Sequence, residues 1–205
     1  MPPRLDEDEA AYFDRSALLR LTPSTYHDLL ATGVLKDEAT YELLEGLLVE
    51  TMPEDPIHMA VTLILMRLLG EATPADCSAR PTAPVAFGDS EPKPDVSVVR
   101  GTYEDYRRRH PAPEDTLLLV EVANTSHRRD RGWKQRIYAR AGTREYWIAD
   151  VVARRLEVYR DPTGPDIEEP YYRSRTIYDA DATVDVPIDG ATPISLADVF
   201  GDDTA

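Results

Sequence analysis

The sequence predicts a mixed α/β (α+β) domain with one central β-sheet flanked by helices. Segments with helical spacing of apolar residues alternate with short segments that are rich in β-branched residues. One of these segments, TLLLVEVA at 116–123, is almost entirely apolar, which is typical of a central strand buried on both faces. The 205 residues are enough for one domain with a substantial core. We therefore expect a single layered domain in which helices cover a mixed sheet.

The sequence predicts an acidic N-terminal arm over residues 1–20, followed by a single domain over residues 21–205. Thr22 and Pro23 are a typical start for a helix, which should end at Gly33. Residues 41–52, YELLEGLLVETM, predict two short strands that turn near Gly46. Residues 56–71 predict a second helix, whose apolar face comprises Ile57, Val61, Ile64, Leu65, Leu68 and Leu69.

Most of the predicted sheet comes from the chain after residue 80. Further strands are expected at 84–88, 95–99, 116–123, 145–151, 155–160 and near 170–178. A helix over 127–141 should end at Gly142, and a last short helix should follow Ser195.

Composition limits the classes of function. The longest apolar stretch, VTLILM at 61–66, is far shorter than the roughly 20 residues that span a bilayer. The acidic N-terminus lacks the apolar core of a secretion signal. Cys77 is the only cysteine, which excludes an intrachain disulfide and a cysteine-rich zinc site and fits a reducing cytoplasm. We therefore expect a cytoplasmic protein without a membrane partner.

The net charge of −15 argues against a protein that coats DNA regardless of sequence, because affinity for phosphates comes largely from Lys and Arg. The charge is unevenly distributed, however. Residues 100–160 contain 14 Lys and Arg against 9 Asp and Glu, whereas the rest of the chain contains 9 against 29. This segment, which includes Arg107–Arg109, either forms a basic surface or is scattered by folding, and the sequence leaves both alternatives open.

Two carboxylates occupy positions that suggest a metal site. Asp95 begins a predicted strand directly after Pro94, and Glu121 lies among the apolar residues of the strand at 116–123. Two buried carboxylates on neighbouring strands would repel each other unless a cation lay between them. Oxygen ligands of this kind suit Mg²⁺ or Mn²⁺. The other interpretations are a turn-forming aspartate and a strand-end glutamate that reaches solvent.

Lys134 lies on the helix that follows the Glu121 strand. Asp130, Lys134 and Tyr138 repeat every four residues and share one face, next to an apolar stripe of Trp133, Ile137 and Ala141. We expect the apolar stripe to pack on the sheet and Lys134 to lie at its border, over the strand ends. A lysine in that position can orient a metal-bound water and stabilise charge that develops on a phosphate. The alternative is an exposed ion pair with Asp130.

Several motifs, taken in order, resemble the Uma2 family, also called DUF820, of restriction endonucleases. They are YELLEG, His58, KPDVSVV, LLLVEVANTS, RDRGWKQRIYARAG and EYWIAD, and they extend over about Leu21 to Tyr159. The resemblance implies a restriction-endonuclease-like PD-(D/E)xK nuclease fold and a DNA substrate. It further implies that Asp95 and Glu121 hold Mg²⁺ or Mn²⁺ and that Lys134 is the active-site lysine. The usual motif places this lysine two residues after the acid, where this chain has Ala123.

The same resemblance adds further positions. His58 is a metal ligand or a phosphate contact, and either Glu42 or Glu45 adds a carboxylate, although alternation along a strand disfavours both facing one metal. A homodimer is a further alternative, because many restriction-type nucleases cut both strands as dimers. A different class of function is a catalytically inactive binding module on a nuclease-like fold, which the acidity of the chain and Ala123 favour.

Overall fold

A computed structural model of the chain describes residues 18–35, 41–51, 55–124 and 129–201. A six-stranded mixed sheet forms the centre of the fold. Its strands are β3 (Cys77–Pro81), β4 (Val96–Arg100), β5 (Thr116–Ala123), β6 (Glu145–Asp150), β7 (Arg155–Pro162) and β8 (Tyr172–Asp179). An N-terminal hairpin pairs β1 (Tyr41–Leu44) with β2 (Leu47–Glu50), and a small ribbon pairs β9 (Thr183–Val184) with β10 (Ile194–Ser195). The predicted fold class is confirmed.

The strands of the central sheet follow one another in chain order from β3 to β8. Neighbouring strands are antiparallel except for β5 and β6, which are parallel. A parallel pair needs a crossover connection, and the described part of this crossover, from residue 129 onward, packs on one face of the sheet. The crossover contains a π-helical turn, Asp130–Lys134, that continues into helix α3, Gln135–Arg140.

The described residues also form the α-helices α1 (Pro23–Ala31), α2 (Pro56–Ala72) and α4 (Leu196–Phe200), with short 3-10 helices at Tyr103–Tyr106 and Pro113–Asp115. Thr22 caps α1 by accepting a hydrogen bond from the Thr25 N–H at 3.2 Å, and the chain leaves this helix through Gly33, whose φ is +72°. Asp55 caps α2 in the same way, with the His58 N–H as donor at 2.9 Å. The predicted limits of both helices therefore agree closely with the structure.

The sheet separates two hydrophobic cores. On one face, α2 and α4 pack on alternate residues of β4 to β7, including Val120 and Trp147. On the opposite face, α3 and the N-terminal hairpin pack on Leu119 and the aromatic residues Tyr146, Tyr159 and Tyr172. Because side chains alternate along β5, Glu121 lies on this second face, toward the crossover.

Some predicted elements were wrong. Residues 84–88 form a loop, because their backbone groups bond to other loop residues rather than to a strand. The Val85 N–H donates to the Pro92 carbonyl at 3.1 Å and the Ala86 N–H to the Pro111 carbonyl at 2.8 Å. Edge strand β3 was not predicted, because it is short and lacks a regular apolar pattern. Ile57 is exposed rather than part of the packed face of α2, since it lies in the first turn at the sheet's margin.

Among the described residues, no helix has the length and apolarity needed to cross a membrane. Residues 1–17 of the predicted acidic arm, and residues 127 and 128 of the predicted crossover helix, lie outside the described residues.

Candidate active site

The pairing of β4 with β5 brings Asp95 and Glu121 together. Val96 pairs with Val120 in an antiparallel register, so Asp95, one residue earlier, lies beside Glu121 at the end of the two strands. Asp95 is fixed there because its Oδ2 accepts a hydrogen bond of 2.6 Å from the Val122 N–H. Both side chains are buried, as the sequence predicted from their strand positions.

Lys134 reaches Glu121 from the crossover. Its Nζ lies 2.9 Å and 3.0 Å from the two carboxylate oxygens of Glu121, and the lysine is only 3% exposed. It was expected at the border of the packing face, and that expectation was wrong. Lys134 and Tyr138 lie within the face that packs on the sheet, because both contact Glu121, which points toward α3 from β5.

Tyr138 holds Glu121 from the next turn of the helix. Its hydroxyl donates a hydrogen bond of 2.6 Å to Glu121 Oε1, and the ring is fully buried among the aromatic residues of the second core. The sequence contained a signal for this contact, since Lys134 and Tyr138 are four residues apart on one helix face.

Glu42 of β1 adds a third carboxylate. Its Oε1 lies 2.9 Å from Lys134 Nζ and accepts a hydrogen bond of 2.7 Å from the Lys93 N–H. Its Oε2 is buried and has no hydrogen-bond partner among the described residues. Only one of Glu42 and Glu45 was expected to face the site, and in the structure Glu42 points into the cluster.

Glu45 faces away from this cluster. Its carboxylate oxygens lie 2.9 Å from the Arg136 guanidinium and 2.7 Å from the Arg140 guanidinium, both on α3. One of them also accepts a hydrogen bond of 2.7 Å from Trp133 Nε1. Burial raises the pKa of Glu45, but the two arginines and the indole outweigh burial and hold this pKa below its ordinary value. Glu45 therefore anchors the hairpin to the crossover.

His58 lies on the other side of Asp95, in the first turn of α2. Its Nε2 is 3.3 Å from Asp95 Oδ2, and its side chain is 14% exposed. The start of α2 is itself held to the end of β5, because Asn124 donates a hydrogen bond to the capping Asp55. The structure thus brings all four predicted site residues, Asp95, Glu121, Lys134 and His58, to one end of β4 and β5.

The cluster contains more carboxylates than cations. Burial raises the pKa of Glu121 well above its ordinary value, and the charges of Asp95, Asp130 and Glu42 raise it further, against the opposing effect of Lys134. Burial lowers the pKa of Lys134, but the negative charges of Glu121 and of the three other carboxylates outweigh burial and raise this pKa. A divalent cation would neutralise the excess negative charge and give Glu42 Oε2 a partner, and carboxylate oxygens are the ligands that such an ion prefers. No three of the described His, Asp or Glu side chains of this cluster, however, have ligand atoms that all lie within 4.8 Å of one another.

Several arginines of the basic segment at 100–160 form ion pairs. Arg131 binds both Asp150 and Glu157, and Arg160 binds Glu145 at 2.7 Å. In the exposed run at 107–109, Arg107 pairs with Glu104 and Arg109 with Asp115. Carboxylates from outside the segment also take part, because Glu42 binds Lys134 and Glu45 binds Arg136 and Arg140, and these pairs offset part of the segment's excess positive charge.

Comparisons with known proteins agree with this architecture. A crystal structure described as "a putative nuclease belonging to DUF820", from Anabaena variabilis, is similar to this chain with a TM-score of 0.64 and 20% identity. The similarity covers 88% of this chain and 97% of the other, and at this identity it shows a shared fold. A search of curated proteins found no match. The model of the Uma2 family, described as "Putative restriction endonuclease", matches residues 23–188, so this chain belongs to the Uma2 family.

Proposed function

We propose that this protein is a divalent-metal-dependent endonuclease that hydrolyses phosphodiester bonds in DNA. The observation that carries the proposal is the buried cluster at the end of two strands, in which Glu121 and Glu42 bind Lys134 and Asp95 lies beside Glu121. A buried glutamate whose pKa is raised, beside a buried lysine and two further buried carboxylates, is a recurring feature of catalytic sites. Membership of a restriction endonuclease family supports the same reaction.

Each residue in the cluster has a distinct role in this proposal. Asp95 and Glu121 would hold Mg²⁺ or Mn²⁺ through their carboxylate oxygens, with His58 as a further ligand or an orienting group beside Asp95. A bound divalent ion supplies Lewis-acid activation of the phosphate and of the attacking water. Lys134 would position the attacking water and stabilise negative charge that develops on the phosphate. Tyr138 fixes the orientation of Glu121 through its 2.6 Å hydrogen bond.

The site represents a variant of the PD-(D/E)xK arrangement. The position two residues after Glu121 is Ala123, which is fully buried in the second core and offers no amine. Lys134 approaches the same carboxylate from the crossover instead, with its Nζ 2.9 Å from Glu121 Oε1. Lys134, on the crossover, therefore contacts Glu121, the residue that a lysine at position 123 of β5 would serve in the usual motif.

One observation favours the alternative of a catalytically inactive binding module. The Lys134 ammonium stands between Glu121 and Glu42, at 2.9 Å from an oxygen of each, which is also the geometry of a buried structural ion pair. Calorimetric titration with Mn²⁺ separates the two functions. The enzyme should give a binding signal that Asp95→Asn weakens, whereas the module should give no signal at millimolar Mn²⁺.

Cleavage of DNA tests the proposed reaction. Purified protein should nick or cut DNA with Mg²⁺ or Mn²⁺ and lose activity in a chelator. Glu121→Gln and Lys134→Ala should each lower the cleavage rate by at least about 100-fold, because each removes a group that acts on the reacting atoms. Glu71→Gln is the matched control, since this glutamate of α2 is exposed and pairs only locally with Arg67 in the structure.

Circular dichroism should show that Glu121→Gln retains the fold, since glutamine keeps the shape of the side chain and can still accept the Tyr138 hydrogen bond. Cleavage that survives in both Glu121→Gln and Lys134→Ala would contradict the mechanism.

A further inference from the structure

A second group of potential ligands lies outside the candidate active site. His27 comes from α1, Glu91 from the loop before β4, and His110 from the loop before β5. Ligand atoms of all three side chains lie within 4.8 Å of one another, and within the described ranges no other trio of His, Cys, Asp or Glu meets this spacing. His27 Nε2 is 2.8 Å from Glu91 Oε2, and the rings of His27 and His110 meet edge to face with centroids 6.3 Å apart.

Backbone hydrogen bonds hold these three segments in place independently of any ligand. The Leu21 N–H donates to the Gly46 carbonyl at 2.7 Å, which fixes the segment leading into α1 on the hairpin. The Glu91 N–H donates to the Leu43 carbonyl of the same hairpin at 2.7 Å. The Ala86 N–H donates to the Pro111 carbonyl, next to His110, at 2.8 Å. The three side chains are therefore presented together by a preorganised scaffold, which lowers the cost of binding an ion.

The donor set differs in kind from that of the candidate active site. Two imidazoles and one carboxylate suit borderline first-row transition metals such as Zn²⁺, whereas Mg²⁺ prefers oxygen ligands alone. The Glu91 side chain is only 6% exposed, so a dication would neutralise a buried charge. The His27 side chain is half exposed, which gives an ion a path from solvent and leaves room for water as a remaining ligand.

We propose that His27, Glu91 and His110 form a binding site for a transition-metal dication of the Zn²⁺ class. The site shares no residue with the Asp95–Glu121 cluster. It does share two segments with it, because Glu91 lies two residues before Lys93, whose N–H binds Glu42, and its own N–H bonds to Leu43. A metal bound there would fasten α1 to the segment that carries Lys93 and Asp95. Its role is accordingly structural, in stabilising the framework of the candidate active site.

Titration of the metal-free full chain with Co²⁺ and Zn²⁺, in buffer with excess Mg²⁺ to occupy oxygen-rich sites, tests the proposal. Co²⁺ reports nitrogen ligation through its visible absorption, and calorimetry gives the Zn²⁺ affinity. Wild-type protein should bind one ion, and His27→Ala and His110→Ala should each weaken binding at least about tenfold. Zn²⁺ should also raise the melting temperature of the wild type but not of His110→Ala.

Two control variants separate this site from the candidate active site. His58→Ala removes a histidine beside Asp95, and Glu121→Gln removes a carboxylate of that cluster, so both should bind Co²⁺ with wild-type affinity and spectrum. Retention of wild-type Co²⁺ binding by both His27→Ala and His110→Ala would overturn the proposal. Loss of the nitrogen-ligated spectrum in His58→Ala would also overturn it, because the ion would then lie at the Asp95 cluster. DNA cleavage by the same preparations is a separate measurement and decides only the nuclease proposal.

Discussion

Glu42 is the residue whose environment most directly indicates a ligand. One carboxylate oxygen is bound by Lys134 and the Lys93 N–H, whereas the other is buried without a hydrogen-bond partner among the described residues. An unsatisfied buried carboxylate oxygen costs on the order of 1–3 kcal/mol, which coordination to a cation would recover. We therefore propose that Glu42 adds an oxygen ligand to the cation that the proposed function assigns to Asp95 and Glu121.

We expect Glu42→Gln to weaken Mn²⁺ binding by at least about tenfold, because the amide keeps the volume of the side chain but removes a charged oxygen ligand. Calorimetric titration of Mn²⁺ measures the change. Glu45→Gln is the matched control, since Glu45 lies three residues away and binds Arg136 and Arg140 instead. Equal losses of Mn²⁺ affinity in both variants would show that the effect is not specific to the cluster.

The resemblance to the Uma2 family selected Asp95, Glu121 and Lys134 as candidate site residues, and each also has a local signal, namely a strand start, an apolar strand and a helix face. It could not choose between Glu42 and Glu45. Their directions are decided by contacts with residues far along the chain, since Glu42 meets Lys93 and Glu45 meets Arg136 and Arg140. The proximity of His27, Glu91 and His110 was also not predicted from sequence, because the three residues come from separate segments of the chain.

At the scale of elements, the turn of the N-terminal hairpin fixes the position of β1, and so of Glu42, relative to the candidate active site. Gly46 has a φ of +76°, and a Cβ at this position would lie 2.8 Å from Arg20 Cβ and 3.0 Å from the Leu21 carbonyl oxygen. The turn therefore needs glycine both for its left-handed backbone and for close approach of the chain before α1. Displacement of that chain would disturb the hairpin that carries Glu42.

Gly46→Ala should lower the free energy of unfolding by about 2–4 kcal/mol, since it combines left-handed strain with steric overlap against backbone. Gly33→Ala is the control. Gly33 has a similar φ of +72°, but a Cβ added there would meet nothing within 4 Å, so only strain of about 1 kcal/mol should appear. Urea denaturation measures both values, and equal losses in the two variants would exclude the steric contribution.

Elements with a long regular pattern were predictable, and irregular ones were not. The limits of β5 agree with the apolar run at 116–123, because a central strand is defined by burial on both faces. The segment at 84–88 has strand-like composition, yet its hydrogen bonds go to Pro92, Pro111 and Ser90 in neighbouring loops. Composition alone cannot reveal such distant partners, so loop and strand are indistinguishable there from sequence.

At the scale of the whole molecule, the acidic charge and the ion-pair networks act together. Several arginines of the segment at 100–160 are bound by internal carboxylates, so the chain presents less free positive charge than that segment's composition suggested. In the proposed function, contact with DNA must therefore be local, with metal ions at the site compensating phosphate charge. The distribution of charge was readable from sequence, whereas its internal neutralisation depended on the three-dimensional pairing.

The two cores share one sheet, and this arrangement makes a prediction about cooperativity. Strands β5 to β7 contribute residues to the packing on both faces of the sheet, so we expect neither core to unfold while the other keeps its sheet. The fluorescence of the two tryptophans reports on the packing of opposite faces of the sheet. Trp147 is fully buried against the face with α2, and Trp133 packs on the other core and donates to Glu45.

We expect Trp133→Phe and Trp147→Phe variants each to show one unfolding transition, in which fluorescence of the remaining tryptophan coincides with the loss of secondary structure by circular dichroism. The two variants can differ in overall stability, so the comparison is between the two probes within each variant. A fluorescence midpoint that separates from the circular dichroism midpoint in either variant would contradict the single domain proposed for residues 21–205. One face of the sheet would then unfold independently of the other, and the hairpin that brings Glu42 to the site could detach while the strands that carry Asp95 and Glu121 remained folded.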